Sequence, residues 1–193
     1  ALVTGGSGGI GAAICQSLSA QKVAVAVQYN RNGADADAVV ASILDSGGEA
    51  FAIAGDLLDP KTPARLIDAT ADRFGVLSIL VNNAGAMTDS PVETMPDALW
   101  DDSLAVNLTA AFRCARAAIP HMKRDRWGRI ISISSQAARA GSRTHAHYAA
   151  AKSGLQGLSA SLARELGADG ITVNLVSPGR IATGMLMDRS EGR

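Results

Sequence analysis

Tyr148-Ala-Ala-Ala-Lys152 sets a phenol and an ammonium four residues apart. On a helix such residues share one face, with Cβ atoms about 5–6 Å apart. Free tyrosine titrates at about 10, too high to exchange protons readily at neutral pH. An ammonium about 5 Å away, at an effective dielectric of about 20, favours the phenolate by about 3 kcal/mol. That equals about two pKa units and brings the phenol toward the range of a working general acid or base. The same spacing also occurs as a solvated surface pair, so the setting decides. One part of the setting is Ser135, a hydroxyl upstream at the end of an apolar run.

The elements that must position these groups alternate along the chain. Strands are expected over residues 1–4, 23–27, 49–54, 77–81, 129–133 and 171–176. Helices are expected over 9–20, 34–46, 60–74, 96–123 and 146–166. Asp59 is the expected cap of the third helix, with Pro63 in its first turn. The segment 96–123 reads as one long helix or two abutting ones, with Pro120 near its end, and Gly167 should stop the last helix. Several strands are apolar on both faces. Alternating strand and helix of this kind imply an α/β fold: a doubly wound parallel sheet with helices on both faces. Ligands then belong at the carboxyl ends of the strands.

Composition narrows the partners. The 193 residues carry 18 Lys plus Arg against 18 Asp plus Glu, so the formal net charge is zero. This gives no electrostatic reason to expect nucleic acid or an acidic membrane. The cluster Lys123-Arg124-Asp125-Arg126 reads as a solvated helix end. Hydrophobic content of 47% suits one soluble globular domain, residues 1–193, with a sizeable core. No apolar run approaches the roughly 18 residues of a membrane span, and no signal peptide is visible. Cys15 and Cys114 lie in helical patterns without metal-ligand spacing. They read as reduced packing residues of a cytoplasmic protein, and no metal is expected. Ala1 opens inside a strand, which suggests a trimmed N-terminus.

Thr4-Gly5-Gly6-Ser7-Gly8-Gly9-Ile10-Gly11 joins the first strand to the first helix. Glycines permit a tight turn and a close backbone approach, and the helix N-terminus offers N–H groups and positive dipole. Strand before and helix after are the context of a dinucleotide site. No Gly-Lys-Ser/Thr follows, so a P-loop is excluded. The second strand ends Val27-Gln28-Tyr29-Asn30-Arg31. An acid there would bind the ribose 2′-hydroxyl of NAD, whereas a cation suits the 2′-phosphate of NADP. No acid is present and Arg31 can clamp a phosphate, so NADP is favoured, with NAD as the alternative.

Thr4-Gly5-x-x-x-Gly9-x-Gly11, Asn82-Asn83-Ala84-Gly85, Asn107, Ser135, Tyr148-x-x-x-Lys152 and Pro178-Gly179 occur in one order. The chain resembles the short-chain dehydrogenases/reductases over essentially its whole length, and within them the 3-oxoacyl-[acyl-carrier-protein] reductases and their relatives. The resemblance implies a Rossmann-type fold and hydride transfer between nicotinamide and a carbonyl or secondary alcohol. It implies a catalytic set of Asn107, Ser135, Tyr148 and Lys152. Ser134 also ends the fifth strand, and the family spacing to the tyrosine selects Ser135. Asn107, mid-helix where Asn is a poor helix former, would hold a water that links Lys152 to solvent. Cofactor contacts implied are Gly5, Ser7, Gly9, Ile10, Gly11, Asn30, Arg31, Asp56, Leu57, Asn83, Ala84 and Gly85. Tyr148, Lys152, Pro178, Gly179, Ile181 and Thr183 complete that set.

Substrate contacts are expected from residues 136–147 and from the segment after Thr183. Arg139, Arg143, His145 and His147 would meet an anionic substrate or stand as exposed loop residues. Arg126 falls where carrier-protein reductases carry a basic docking residue. Asp169 occupies a second such position, which puts acyl carrier protein in question as a partner. Members of the family continue with a substrate lid, a further helix and a seventh strand; the chain stops at Arg193, so the resemblance implies that these are missing from it. The helices over 96–123 and 146–166 resemble the pair that builds a family interface, which implies a homodimer or homotetramer. Two other readings stand beside the first: a dehydrogenase of another secondary alcohol or ketone (sugar alcohol, steroid, xenobiotic), and a non-catalytic nucleotide sensor.

Overall fold

Leu2 and Val3 are the whole of strand β1 (Leu2–Val3); they face opposite ways and both are fully buried. Only a strand covered on two sides buries neighbouring residues in this manner. The computed structural model describes residues 1–181. Val3 packs with Val25 and Val27 of β2 (Val25–Tyr29) and Val81 of β4 (Ile79–Asn82). Cys15 of α1 (Gly9–Ala20) and Val39 and Ile43 of α2 (Gly33–Asp45) cover that face. Leu2, Ala26 and Leu80 face the other way. There they meet Leu66 and Ile67 of α3 (Thr62–Phe74), and Cys114 and Met122 of α5 (Ala110–Arg124).

The remaining strands are β3 (Ala50–Ala54), β5 (Gly128–Ile133) and β6 (Ile171–Val176). All six are parallel, in the order β3-β2-β1-β4-β5-β6. The chain winds outward from β1 to β3, then returns to the middle and winds the other way. The reversal lies between β1 and β4, so a crevice opens at their carboxyl ends. The α/β, doubly wound, Rossmann-type architecture read from the sequence is therefore the one found.

Several boundaries differ for tertiary reasons. Strand β2 begins two residues later than the apolar run suggested, where Val25 pairs with Ala50; the turn before it holds Lys22 at φ +63°. Helix α3 begins at Thr62, and Asp59 instead shapes the preceding turn, its Oδ1 accepting from the Lys61 amide at 2.9 Å. The segment 96–123 is broken into α4 (Asp97–Leu104), a π-helical turn (Ala105–Thr109) and α5, with Pro120 inside α5. A short helix, α6 (Ala137–Ala140), had no sequence signal. Helix α7 (Ala146–Leu166) has the expected span, but Gly167 keeps helical angles. A 3-10 turn (Gly167–Asp169) follows, and Gly170 at φ +75° ends it. Cys15 and Cys114 are buried free thiols, and burial pushes both up to about 12, which leaves them unreactive.

Leu80 is fully buried in the central strand β4. Leu80→Ala should cost about 2–5 kcal/mol, from lost transfer energy plus a cavity that the sheet cannot close. Leu44→Ala, at a half-exposed site, should stay within about 0.5 kcal/mol. Guanidinium unfolding of the two variants checks the contrast.

Candidate active site

The first turn of α1 carries no side-chain cap and no acid. Its N–H groups and dipole therefore stay available to an anion. A Cβ on Gly11 would collide with the Gly5 carbonyl and lie 2.6 Å from Asn83 Nδ2, so only glycine lets helix and loop close here. Nothing lies within 4 Å of a Cβ built on Gly8, so the loop is open on its outer side. This backbone fits a pyrophosphate at the helix end.

The loop is held by side chains from neighbouring strand ends. Thr4 Oγ1 accepts from the Asn83 and Ala84 amides, each at 3.0 Å. Asn83 Nδ2 donates to the Thr4 and Gly5 carbonyls, each at 3.0 Å. Gln28, buried in β2, accepts from the Gly5 amide at 2.8 Å and donates to the Gly55 carbonyl at 2.7 Å. Its own carbonyl accepts from the Gly6 amide at 2.8 Å.

Beside this scaffold lies a cleft of about 300 Å³. Gly5, Ser7, Asn30, Arg31, Asp56, Leu57, Ala84 and Gly85 line it, so eight of the expected cofactor contacts are brought together. Arg31 is exposed and makes no ion pair among the described residues. Asp56 is also exposed, and its Oδ1 accepts from the Leu58 amide at 3.0 Å. Asn83 braces the glycine loop rather than lining the cleft. Gly9, Ile10 and Gly11 form the start of α1. Pro178, Gly179 and Ile181 follow β6; the Pro178 carbonyl accepts from the Gln136 amide at 2.9 Å. Thr183 lies outside the described residues.

Helix α7 carries the tyrosine and the lysine. Tyr148 and Lys152 are both buried, and the Lys152 Nζ lies 5.7 Å from the Tyr148 ring centroid. Nζ donates to the Ile133 carbonyl at 2.8 Å. Burial lowers the Lys152 pKa from 10.5 to about 8, so the group still carries its charge at neutral pH. The two serines at the end of β5 divide. Ser134 is buried and donates to the Lys152 carbonyl at 2.9 Å, which ties β5 to α7. Ser135 is half-buried, and its Oγ accepts from the Ala137 amide at 3.2 Å.

Asn107 sits in the π-helical turn and is almost wholly buried. Its Nδ2 donates to the Ala86 and Ser103 carbonyls at 2.9 and 3.0 Å, and its Oδ1 accepts from the Ala86 amide at 3.2 Å. The side chain thus straps the loop after β4 to the helix. A Cβ on Gly85 would lie 2.7 Å from Asn107 Oδ1 and 3.3 Å from Lys152 Nζ, which shows how closely these three residues meet. A cavity of about 10 Å³ adjoins them, lined by Thr4, Asn82, Asn107 and Lys152 among others. The buried Asn82 Oδ1 has no hydrogen-bond partner among the described residues. About that volume holds one water.

The chain is a short-chain dehydrogenase/reductase. The family profile described as short chain dehydrogenase matches residues 1–193. A 3-oxoacyl-[acyl-carrier-protein] reductase of Synechocystis is 42% identical over 96% of this chain and 75% of its own. A short chain dehydrogenase from Burkholderia cenocepacia, solved in complex with NADP, is 41% identical with a TM-score of 0.90. That match covers 95% of this chain and 75% of the other. An acetoin dehydrogenase from Salmonella typhimurium has a TM-score of 0.91 at 35% identity, covering 95% and 73%. The family is one of NAD(P)-binding oxidoreductases. No helix among the described residues is long and apolar enough to cross a membrane.

Gln28 is a strut that no motif marks, although a glutamine in an apolar strand is a visible signal. His145 and His147 are expected as loop residues facing substrate or solvent. Both are buried, whereas Arg139 and Arg143 are exposed.

Between about pH 8 and 10.5 the unfolded chain holds a proton at Lys152 that the native state has released. Unfolding free energy therefore rises with pH in that window. The cost of the buried charge, on the order of 3 kcal/mol, is fully present below the window and is relieved across it. Stability of the wild type minus that of Lys152→Met should climb from pH 8 to 10.5, as read by urea unfolding; a flat difference would contradict the buried ammonium.

Proposed function

We propose that residues 1–193 form one NADP-binding domain that also carries the catalytic site of a carbonyl reductase. The reaction is reduction of a ketone to a secondary alcohol, or its reverse, with 3-oxoacyl thioesters as the first substrate class. The observation that carries the reading is the buried Tyr148–Lys152 pair, whose Lys152 meets Gly85, a residue that lines the nucleotide cleft. NADP is favoured because exposed Arg31, at a strand end that carries no acid, lines that cleft. The NADP complex of the Burkholderia relative supports the same choice.

Bound nicotinamide supplies the hydride for the carbonyl carbon. The hydroxyls of Ser135 and Tyr148 donate hydrogen bonds to the carbonyl oxygen and stabilise the developing alkoxide. Tyr148 then gives its proton to that oxygen, and the Lys152 ammonium favours the phenolate left behind. Lys152 would also hold the nicotinamide ribose hydroxyls. Asn107 positions Lys152 through its strap to Ala86. Both ends of its amide are engaged, so a proton-relay water would be held by backbone, Lys152 and the adjoining cavity.

One observation favours a second substrate class. Lys123 pairs with Asp169 at 2.9 Å, and Arg126 donates to the Ala168 carbonyl at 3.3 Å. The basic cluster is thus partly neutralised, which weakens docking of an acidic carrier protein and favours small ketones. Exposed Trp100 and Phe112 on α4 and α5 suit a homo-oligomer through these helices.

Oxidation of NADPH and NADH, followed with an acyl thioester and a panel of simple ketones, tests the reading. Tyr148→Phe should lower turnover at least about a hundredfold while cofactor still binds. Arg31→Ala should raise the NADPH KM and leave NADH unaffected. Near-normal turnover by the Tyr148 variant would sink the mechanism, and wild-type preference for NADH would sink the phosphate clamp.

A further inference from the structure

Residues 83–96 and 134–145 leave neighbouring strands β4 and β5 at the end of the sheet where the cleft opens. Three side chains tie the two segments together. Asp89 Oδ1 accepts from Thr144 Oγ1 at 2.7 Å and lies 3.0 Å from His145 Nε2. The Ser90 amide donates to the Thr144 carbonyl at 2.8 Å. Ser142 Oγ lies 2.8 Å from His145 Nδ1, so both imidazole nitrogens have a neighbour. The Arg143 carbonyl, 2.6 Å from the Thr144 hydroxyl, is its alternative acceptor.

Thr144 has φ +63°, an outlier for a β-branched residue. Such strain persists only where the surroundings over-determine it, and it gathers at functional sites. His145 is the N-cap of α7, and its carbonyl accepts from the Ala149 amide at 2.9 Å. No side chain of α7's own cap residue bonds the first turn. Asp89 instead reaches the cap residue from another loop, through the His145 ring. His145 is buried and Asp89 is exposed, so the imidazole side of the contact is the shielded one.

We propose that Asp89, Thr144 and His145 form an interloop clamp that positions Tyr148 by fixing the first turn of α7. They are positioning residues and touch no reacting atom. The inference rests on the reading of Tyr148 as the proton donor. The donor hydroxyl must meet the carbonyl oxygen closely, and a displacement of about 1 Å can cost on the order of a hundredfold in rate. Of the cleft lining, Gly5, Ser7, Gln28 and Arg31 lie on other segments than the clamp, and Ala84 and Ala86, which share the Asp89 loop, are held separately by Thr4 and Asn107. Release of the clamp should therefore reduce kcat and spare cofactor binding.

The test uses Asp89→Ala, Thr144→Val and Thr144→Ser in the full chain. Valine keeps the branched shape and removes the hydroxyl; serine keeps the hydroxyl. Asp89→Ala and Thr144→Val should lower kcat about ten- to a hundredfold, with the dissociation constant for NADPH within about twofold. Thr144→Ser should recover most of the lost turnover. If Asp89→Ala does not fold, the Thr144 pair decides. Wild-type kcat in Thr144→Val, equal losses in the valine and serine variants, or parallel loss of kcat and cofactor affinity would each overturn the clamp. Absence of turnover in the wild type would instead count against the proposed function. The clamp is then judged by amide exchange: Thr144→Val should speed exchange over residues 146–150 and leave β5 unchanged, and no change at 146–150 would overturn it.

Discussion

The Lys152 ammonium donates to the Ile133 carbonyl at 2.8 Å with almost no contact to water, and the surrounding backbone must tolerate that charge. An isolated buried cation loses its proton or finds partners. Burial alone lowers this one to about 8, and the strand-end carbonyl offsets part of the penalty. Ser134 then ties the Lys152 carbonyl to β5, so the lysine is gripped at both ends of the residue. Gly85 passes close to Nζ because it has no side chain. The site is thus assembled around a charge that would be costly elsewhere in the chain.

The nucleotide side uses neutral groups for the same purpose. Thr4, Asn83 and Gln28 interlock three strand ends through donors and acceptors on the glycine loop. Every such bond is lost to water if the loop moves, so the loop is held in one conformation before any ligand arrives. Prior ordering of this kind lowers the entropic cost of binding. It also explains why residues that read as cofactor contacts can be braces: Asn83 turns its amide toward the loop, away from the cleft.

What was legible in the sequence follows from the range of the interactions involved. Strand alternation and both-face burial depend on side-chain periodicity, and Leu2, Val3, Leu80 and Val81 divide between the two cores as that periodicity requires. The Tyr148–Lys152 pair needed only helical spacing. The π-helical turn at Asn107 did not announce itself, because it accompanies bonds to Ala86, far along the chain. Gly167 caps α7 as expected, but the 3-10 turn that follows ends only at Gly170, which lies against the backbone of Arg126. Gln28 read as the absence of an acid, whereas its buried amide joins two loops. Local pattern yields element type; partners distant in sequence decide where elements end and which polar groups act as struts.

The two cations singled out here work in opposite electrostatic regimes. Lys152 is buried, so salt screens it little and its influence on Tyr148 is short-ranged and persistent. Arg31 is exposed, so its attraction to a 2′-phosphate falls as ionic strength rises. On the proposed reading, cofactor choice is a surface property at the end of β2, and proton transfer is an interior property of α7 and β5. The intervening loops are fixed by neutral hydrogen bonds that respond little to salt. The preference between NADP and NAD can therefore shift by substitution at Arg31 without altering the chemistry at Tyr148.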